Sequence, residues 1–232
     1  MSDYEKMEEK YIFPSILWDF KYPDAPNDQF IKWVYDASNA DVRFQQGKEE
    51  AINTGLGKIG TDSISVFSEQ YPRAGNSSSG GWQSGSFTME QTEFYPLVEF
   101  VWDIVEHVAR TVGINYIDCQ IAMWANLNYP YCYNGIHSHP SAHYSGVYYA
   151  QVPEGDCGSL MVYNPSFWTA VWLPPDGDLQ GNVKTPNGLK YEIIPKVGTC
   201  QVFRADMLHE VSRNNTKEDR ISFAFNLNYI MK

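Results

Sequence analysis

The chain has 232 residues, of which 43% are hydrophobic and 19% charged, and this balance is typical of a globular protein rather than a disordered one. A formal net charge of −11 repels phosphate backbones, so nucleic acid is excluded as a general partner. No apolar run approaches the roughly 20 residues that a membrane span needs.

The cysteines and the first residues indicate the compartment. The four cysteines are scattered and none forms a C-x-x-C pair, so we expect buried free thiols rather than a zinc ribbon or a disulfide scaffold. Residues 1–10 (MSDYEKMEEK) are polar and acidic, unlike a signal peptide. We therefore expect a cytoplasmic protein, in a cell or in an infected host.

The first third of the chain predicts a strand, a helix and a long loop. Residues 1–10 are expected to form a frayed tail, and residues 11–18 (YIFPSILW) an edge strand that tolerates a proline. Residues 27–37 carry apolar side chains at helical spacing, and their first two residues, Asn and Asp, are typical helix caps. The glycine- and serine-rich residues 54–85 predict a surface loop.

A second helix has the clearest pattern. Thr88 and Gln91 match a capping box, apolar residues recur at helical spacing over 94–112, and Gly113 predicts the end of the helix. His107 falls outside the apolar stripe, so we expect it at the surface.

The second half of the chain predicts a β-sandwich or barrel, because short runs of strand-forming residues alternate with turn residues. Residues 164–189 are too rich in proline and glycine for regular structure and predict a long covering loop. Strands are expected near 117–126, 135–139, 145–152, 159–163, 190–194, 199–204, 208–212 and 220–228.

Three of the five histidines lie within residues 134–149. His137 and His139 are two apart, so on a strand their rings would lie on one face and could hold one metal ion. His209, much later in the chain, is the candidate third ligand, whereas His143 follows a proline that ends the strand. The alternative is that His137 and His139 are loop residues with ordinary hydrogen bonds.

The strand predicted over 220–227 (RISFAFNL) has one apolar face and one face that begins with Arg220 and Ser222. A guanidinium enclosed by the sheet needs an anionic partner, because an unpaired buried charge costs about 3–5 kcal/mol. A small-molecule carboxylate matches the fork of Arg220 at two points. The alternative partner is Glu210 or Asp219 at the rim.

Residues 211–219 (VSRNNTKED) have the composition of a hairpin turn. On this interpretation His209 and Arg220 lie on adjacent strands, with a metal and a carboxylate anchor within the length of one cofactor. The histidines and the arginine therefore predict one shared site.

Six segments, in their order and spacing, resemble the iron(II)- and 2-oxoglutarate-dependent oxygenase superfamily. The likeness is to its prolyl-hydroxylase-like branch, found in marine bacteria and their phages, and it covers roughly residues 80–232. The segments are GGWQS (80–84), WANLN (124–128), HSHPSAHYSGVYYAQVP (137–153), GSLMVYNP (158–165), PKVGTCQVFRADMLHEV (195–211) and RISFAFNL (220–227).

The resemblance implies a mainly β fold with flanking helices, the double-stranded β-helix or jelly roll. We expect a single domain over 1–232. Within it, residues 116–232 would form the β-helix core, and residues 1–115 would form an N-terminal extension, the glycine-serine loop and supporting helices.

The resemblance also implies metal ligands. The family holds iron with an H-x-D/E…H triad, in which His137 would be the first ligand and His209 the last. His139 stands at the acidic position in this chain. Three neutral imidazoles leave a metal ion its full +2 charge, and they also suit zinc or nickel. His143 is a candidate substitute ligand.

The implied cosubstrate is 2-oxoglutarate. Arg220 and Ser222 would bind its distal carboxylate with help from Tyr149, or from Tyr148 if the strand register slips by one residue. The implied reaction consumes dioxygen, decarboxylates 2-oxoglutarate to succinate and hydroxylates an unidentified substrate. A peptide or protein residue is the candidate for that substrate.

Two other functions stay open from the sequence: a cupin-like metal-binding protein or dioxygenase that works without 2-oxoglutarate, and a non-catalytic jelly-roll binding module. The pair Arg220-x-Ser222 favours the oxygenase, because a cupin does not require it. The oligomeric state is also open, with a homo-oligomer among the alternatives.

The residues expected to line the mouth of the site are Trp124, Asn126, Trp168 and Trp172. For the tryptophans the alternative is packing in the core.

Overall fold

The computed structural model describes residues 15–42, 44–46, 78–87, 91–165 and 190–232 of the chain. The main helices within these ranges are α1 (Asn27–Ala40) and α2 (Tyr95–Val112). The strands there are β1 (Leu17–Lys21), β2 (Ser78–Ser79), β3 (Trp82–Gln83), β4 (Tyr116–Asn128), β5 (Tyr133–His137), β6 (Tyr144–Gln151), β7 (Leu160–Tyr163), β8 (Lys190–Ile193), β9 (Thr199–Arg204), β10 (His209–Val211) and β11 (Arg220–Met231).

The strands form two antiparallel sheets. The large sheet has the order β1-β9-β6-β11-β4-β3, and the small sheet has the order β2-β5-β10-β7-β8. From β9 onward the chain alternates between the sheets, since β9 and β11 belong to the large sheet and β10 to the small one. This arrangement confirms the predicted fold class, a mainly β double-stranded β-helix with flanking helices.

Strand β11 lies near the centre of the large sheet, between β6 and β4, and shows the two predicted faces. Its apolar face packs towards the helices, with the ring of Phe223 5.6 Å from that of Phe30 and 5.4 Å from that of Phe94. The main hydrophobic core therefore lies between the large sheet and the two helices. The residues on this face are at most 1% exposed: Ile221, Phe223, Phe225 and Leu227.

The first helix is present as predicted and extends to Ala40, slightly beyond the expected end. The predicted side-chain cap is wrong. Pro26 occupies the N-cap position without a side-chain hydrogen bond, and Asn27 is already helical. The side-chain oxygen of Asn27 instead accepts a hydrogen bond from the Tyr148 hydroxyl at 2.8 Å, which ties α1 to the large sheet.

The second helix begins later than predicted. The capping box is wrong, since α2 starts at Tyr95 after a 3-10 turn over Thr92–Phe94, without a side-chain cap. Pro96 explains the start, because proline fits the first helical turn, where its missing N–H is not needed. Gly113 ends the helix as predicted, in the left-handed conformation with φ +74°. His107 is exposed on α2 as expected.

All eight strands predicted in the second half of the chain are present, with ends that differ by at most three residues. Strand β1 lies at an edge of the large sheet as predicted, but it begins at Leu17. Most of the predicted loop over 54–85 lies outside the described residues, and its described end contains two short strands, β2 and β3, which were not predicted. The predicted tail over 1–10 and most of the predicted loop over 164–189 lie outside the described residues.

The four cysteines are free and buried, which confirms the expectation of buried thiols: Cys119, Cys132, Cys157 and Cys200. Burial raises the pKa of the Cys132 thiol to about 12 and of the Cys119 thiol to about 11. Among the described helices, none combines the length and the apolarity that crossing a membrane requires.

Gly146 on β6 provides a test of the packing. A Cβ atom added there would lie 2.2 Å from the ring of Phe225, whereas one added at Gly85 would meet nothing within 4 Å. Because overpacking a core costs about 1–3 kcal/mol, Gly146→Ala should lower the free energy of unfolding by about that amount. Gly85→Ala should change it by less than about 0.5 kcal/mol. Urea denaturation measures both variants, and equal stability of the two would contradict the close packing of β6 on β11.

Candidate active site

Three histidine rings converge between the two sheets. The ring centroids of His137 and His209 are 4.2 Å apart, and those of His139 lie 5.0 Å from His137 and 5.2 Å from His209. One nitrogen from each ring lies within 4.8 Å of the others. The predicted trio is therefore assembled, and its spacing suits one metal ion.

Two of the histidines face each other across a strand pair. His137 is the last residue of β5 and His209 the first of β10, and the two are direct partners in the antiparallel register. The prediction that His137 and His139 share one strand is wrong, because β5 ends at His137. His139 reaches the same point from the following turn, where its backbone N–H donates to the Ala205 carbonyl at 2.7 Å.

Backbone carbonyls orient two of the three rings. The Nδ1 atom of His137 is 2.7 Å from the Gly135 carbonyl oxygen, and the Nδ1 atom of His209 is 2.9 Å from the Met207 carbonyl oxygen. A carbonyl only accepts, so each Nδ1 carries the proton and each Nε2 keeps its lone pair for a metal. His139 makes no side-chain hydrogen bond with any residue in the described part of the chain.

Burial keeps the three imidazoles neutral. It lowers the pKa of His137, and together with the neighbouring His137 it lowers the pKa of His139 to about 4. The same causes lower the pKa of His209 to about 3. Neutral imidazole is the form that binds a transition metal, so the donor set fits such an ion at neutral pH.

The rings open into a cavity between the sheets. Its described wall contains no aspartate or glutamate. The lining residues are Gln83, Trp124, Asn126, Asn128, Asn134, His137, His139, Ser145, Gly146, Val147, Tyr149, Leu160, Phe203, His209, Val211, Arg220, Ser222, Ala224 and Phe225.

Arg220 lies in this cavity with 1% of its surface exposed. Its Nη1 donates to the carbonyl oxygens of Cys157 at 2.8 Å and Gly158 at 3.0 Å. The Nε and Nη2 groups donate to no residue that the structure describes. A side chain at Gly158 would be impossible, because its Cβ would lie 2.8 Å from Nη1 and 2.2 Å from the Ser212 carbonyl oxygen.

The carboxylates considered as rim partners of Arg220 bond elsewhere. Glu210 accepts a hydrogen bond from the Tyr163 hydroxyl at 2.6 Å, and Asp219 accepts one from the Tyr35 hydroxyl at 3.0 Å. Among the described residues, none forms an ion pair with Arg220. The guanidinium therefore keeps a free edge towards the cavity.

The strand register separates the two candidate tyrosines. Tyr149 is the β6 partner of Ser222, is 2% exposed and lines the cavity with Arg220. The Tyr148 side chain points to the opposite face, where its hydroxyl bonds Asn27. Within the described part of the chain, the Tyr149 hydroxyl has no hydrogen-bond partner.

His209 and Arg220 approach from opposite sheets, so the prediction of adjacent strands is wrong. Strand β10 pairs with β5 and β7, whereas β11 pairs with β4 and β6. Asn214 explains why the segment between them is not a hairpin. Its side chain donates to the Asn128 carbonyl at 3.2 Å and to the Glu218 carbonyl at 2.8 Å, so it holds the crossing between the sheets.

The remaining predictions concern the residues at the mouth of the site and His143. Trp124 and Asn126 line the cavity as predicted, while Trp168 and Trp172 lie outside the described residues. His143 is not with the other three histidines, because its Nδ1 lies 3.2 Å from the Asn228 side-chain oxygen.

Three amide side chains in the cavity wall were not predicted from the sequence: Gln83, Asn128 and Asn134. Asn128 donates to Asn134 at 3.3 Å and links the two sheets, and Gln83 donates to Asn126 at 2.9 Å. The alternation of Asn126 and Asn128 along β4 was the available signal, since two polar residues two positions apart share one face of a strand.

Comparisons with known proteins point to one family. Residues 122–226 match the family model described as "Putative 2OG-Fe(II) oxygenase". A comparison with curated proteins finds no match. A solved prolyl-4-hydroxylase from Pseudomonas putida is similar over 92% of this chain and 92% of its own, with 11% identity and a TM-score of 0.54, which shows a shared fold.

Two further solved structures are similar over shorter stretches. A viral collagen prolyl hydroxylase from Paramecium Bursaria Chlorella virus-1 shares 11% identity over 65% of this chain and 79% of its own, with a TM-score of 0.42. An oxidoreductase of the 2OG-Fe(II) oxygenase family from Burkholderia pseudomallei shares 18% identity over 48% of this chain and 45% of its own, with a TM-score of 0.35.

The metal-free protein should lose stability as the pH falls from about 6.5 to about 5. The folded pKa of His209 is lowered to about 3, so the unfolded chain takes up a proton first below the ordinary value of about 6.5. His209 alone should then lower the free energy of unfolding by about 2 kcal/mol over this range. Urea denaturation with a chelator present measures the effect. His209→Ala should show a shallower pH slope, and parallel slopes for the two proteins would contradict the burial of a neutral ring.

Proposed function

We propose that this chain is a 2OG-Fe(II) oxygenase in which the three clustered histidines hold the iron and Arg220 anchors the 2-oxoglutarate, and the match of residues 122–226 to the model of that family supports the proposal. The family uses Fe(II), 2-oxoglutarate and dioxygen. The observation that carries the proposal is a buried guanidinium without an acidic partner in the same cavity as the three neutral imidazoles.

The proposed iron ligands are His137, His139 and His209. Three protein ligands leave open positions on a six-coordinate ion, which is the arrangement that iron oxygenases need. Bound Fe(II) supplies the activation of dioxygen, with decarboxylation of 2-oxoglutarate to succinate and hydroxylation of the primary substrate. The protein contributes fixed ring orientations, since the carbonyls of Gly135 and Met207 hold two of the rings.

The proposed cosubstrate ligands are Arg220, Ser222 and Tyr149. The bonds from Nη1 of Arg220 to two carbonyls fix the plane of the guanidinium, so Nη2 and Nε can meet a carboxylate in a bidentate pair. Ser222 is 6% exposed and Tyr149 2%, and both line the cavity with Arg220. Buried polar groups at the wall of such a site can orient the cosubstrate.

For the primary substrate we propose a peptide or protein residue. The support is a likeness of fold to a solved prolyl-4-hydroxylase and a half-buried tryptophan, Trp124, in the cavity wall. The four free thiols support the cytoplasm as the compartment. Assembly into a homo-oligomer stays a prediction that light scattering can test.

Removing one proposed iron ligand should abolish tight metal binding. His209→Ala should weaken anaerobic Fe(II) binding by more than about 100-fold, because losing a ligand costs more than losing a group that merely orients one. His143→Ala is the matched control and should bind iron as the wild type does, since His143 bonds Asn228 away from the cluster. Equilibrium dialysis with iron analysis measures both, and wild-type iron stoichiometry in His209→Ala would refute the ligand assignment.

The cosubstrate site can be tested through the weak visible absorption band of an Fe(II)–2-oxoglutarate chelate. The wild type should develop this band anaerobically. Arg220→Ala should weaken 2-oxoglutarate binding by about 10- to 150-fold and leave iron binding in its absence within about threefold. Absence of the band in iron-loaded wild type would favour a cupin-like metal protein that works without 2-oxoglutarate.

The two neighbouring tyrosines form a matched pair for the same titration. Tyr149→Phe should weaken 2-oxoglutarate binding by about 2- to 10-fold, because it removes one hydroxyl from the cavity. Tyr148→Phe should leave that affinity unchanged, since its hydroxyl bonds Asn27 on the other face of the sheet. The reverse result would mean that the β6 register is shifted by one residue.

A further inference from the structure

The charge of the cavity wall sets a further requirement on its ligands. The described wall has one charged side chain, Arg220, and no acidic one. Glu210 and Asp219, the chain neighbours of His209 and Arg220, accept hydrogen bonds from Tyr163 and Tyr35 and do not line the cavity. Within the part of the chain that the structure describes, no carboxylate is placed to balance a positive charge brought into this cavity.

The charges in the cavity do not sum to zero when iron and 2-oxoglutarate are bound. This inference therefore rests on the proposed function. Fe(II) contributes +2 and Arg220 +1, the three imidazoles are neutral, and 2-oxoglutarate contributes −2. One positive charge remains, because His139 stands where the family's triad carries a carboxylate. An uncompensated charge in a low-dielectric cavity is costly, so the loaded site favours one further anion.

Two hydrogen-bond donors on strand β4, which lines the cavity with His139, have no partner among the described residues. Asn126 is 7% exposed, and its side-chain oxygen accepts from Gln83, which leaves its Nδ2 group without a partner in the described structure. Trp124 lies two residues earlier on the same face of β4, with its ring 5.9 Å from that of His139. The Trp124 indole N–H also donates to no described residue. N–H groups of this kind are suitable ligands for an anion.

We propose that a monoanionic group binds in the cavity beside His139, where Asn126 and Trp124 donate to it, and that it neutralises the loaded site. The group is either a carboxylate of the primary substrate or a small free anion. For a peptide substrate, this means an acidic side chain or a terminal carboxylate next to the residue that is modified.

The test uses the anaerobic Fe(II)–2-oxoglutarate complex of the full chain, with 2-oxoglutarate saturating. Sodium acetate and sodium chloride are titrated separately at constant ionic strength, set with the bulky MOPS anion. The wild type should show a saturable change in the visible band at millimolar concentrations of at least one anion, without loss of bound 2-oxoglutarate. Saturation by acetate alone indicates a substrate carboxylate, and saturation by chloride as well indicates a small free anion.

Substitutions in the cavity wall test where the anion binds. His139→Asp supplies the missing negative charge and should abolish the saturable change while the band itself persists. Trp124→Phe and Asn126→Ala should each weaken anion binding by about 5- to 10-fold, because each removes one hydrogen bond. Tyr148→Phe, on the opposite face of the sheet, should bind the anion as the wild type does.

Three results would overturn the inference: no saturable change in the wild type, the same change in His139→Asp, or loss of bound 2-oxoglutarate on adding the anion. All three presuppose that the band forms. Failure of the band in the absence of added anion would instead refute the proposed function, so the two failures are distinguishable.

Discussion

The guanidinium of Arg220 is the constraint on which the rest of the site depends. It is 1% exposed, it is held by two backbone carbonyls, and no described acidic side chain pairs with it. A buried cation in that state needs an anionic ligand, because leaving it unpaired would cost about 3–5 kcal/mol. The close approach of Gly158, where a Cβ would collide with Nη1, shows how closely the loop is built around this side chain. The cavity is therefore suited to a ligand that carries a carboxylate.

The two sheets contribute different parts of the cavity wall. The small sheet and its adjoining turn bring three neutral imidazoles together, and the large sheet supplies the cation and the hydroxyl groups. Since His209 and Arg220 belong to opposite sheets, the spacing between the histidine cluster and the guanidinium is set by how the sheets pack. The crossing at Asn214 and the amide bond between Asn128 and Asn134 link the sheets beside the cavity. These amides position the site without touching the proposed iron.

Much of the fold and of the candidate site could be predicted from the sequence. The physical reasons for the correct predictions also explain the wrong ones. Alternation along β11 correctly separated the buried apolar face from Arg220, because strand side chains alternate strictly. The three histidines do lie together as expected, yet the reason given for His137 and His139 was wrong, since a turn carries His139 to the cluster. No local pattern encodes the contact with Ala205 that holds it. Residues 211–219 have the composition of a hairpin turn, but they cross from one sheet to the other. This path depends on hydrogen bonds to residues distant in the sequence, such as that from Asn214 to Asn128. The extent of the domains and the roles of the site residues stay predictions.

The central claim is that one cavity holds an iron ion on three histidines and a carboxylate on Arg220. The most direct measurement is an anaerobic crystal structure with Fe(II) and 2-oxoglutarate, with anomalous data collected at the iron edge. The account predicts one iron peak bonded to His137, His139 and His209, and a carboxylate paired with the free edge of Arg220. An iron peak away from these rings, or a cosubstrate that leaves the guanidinium without an anionic partner, would contradict it.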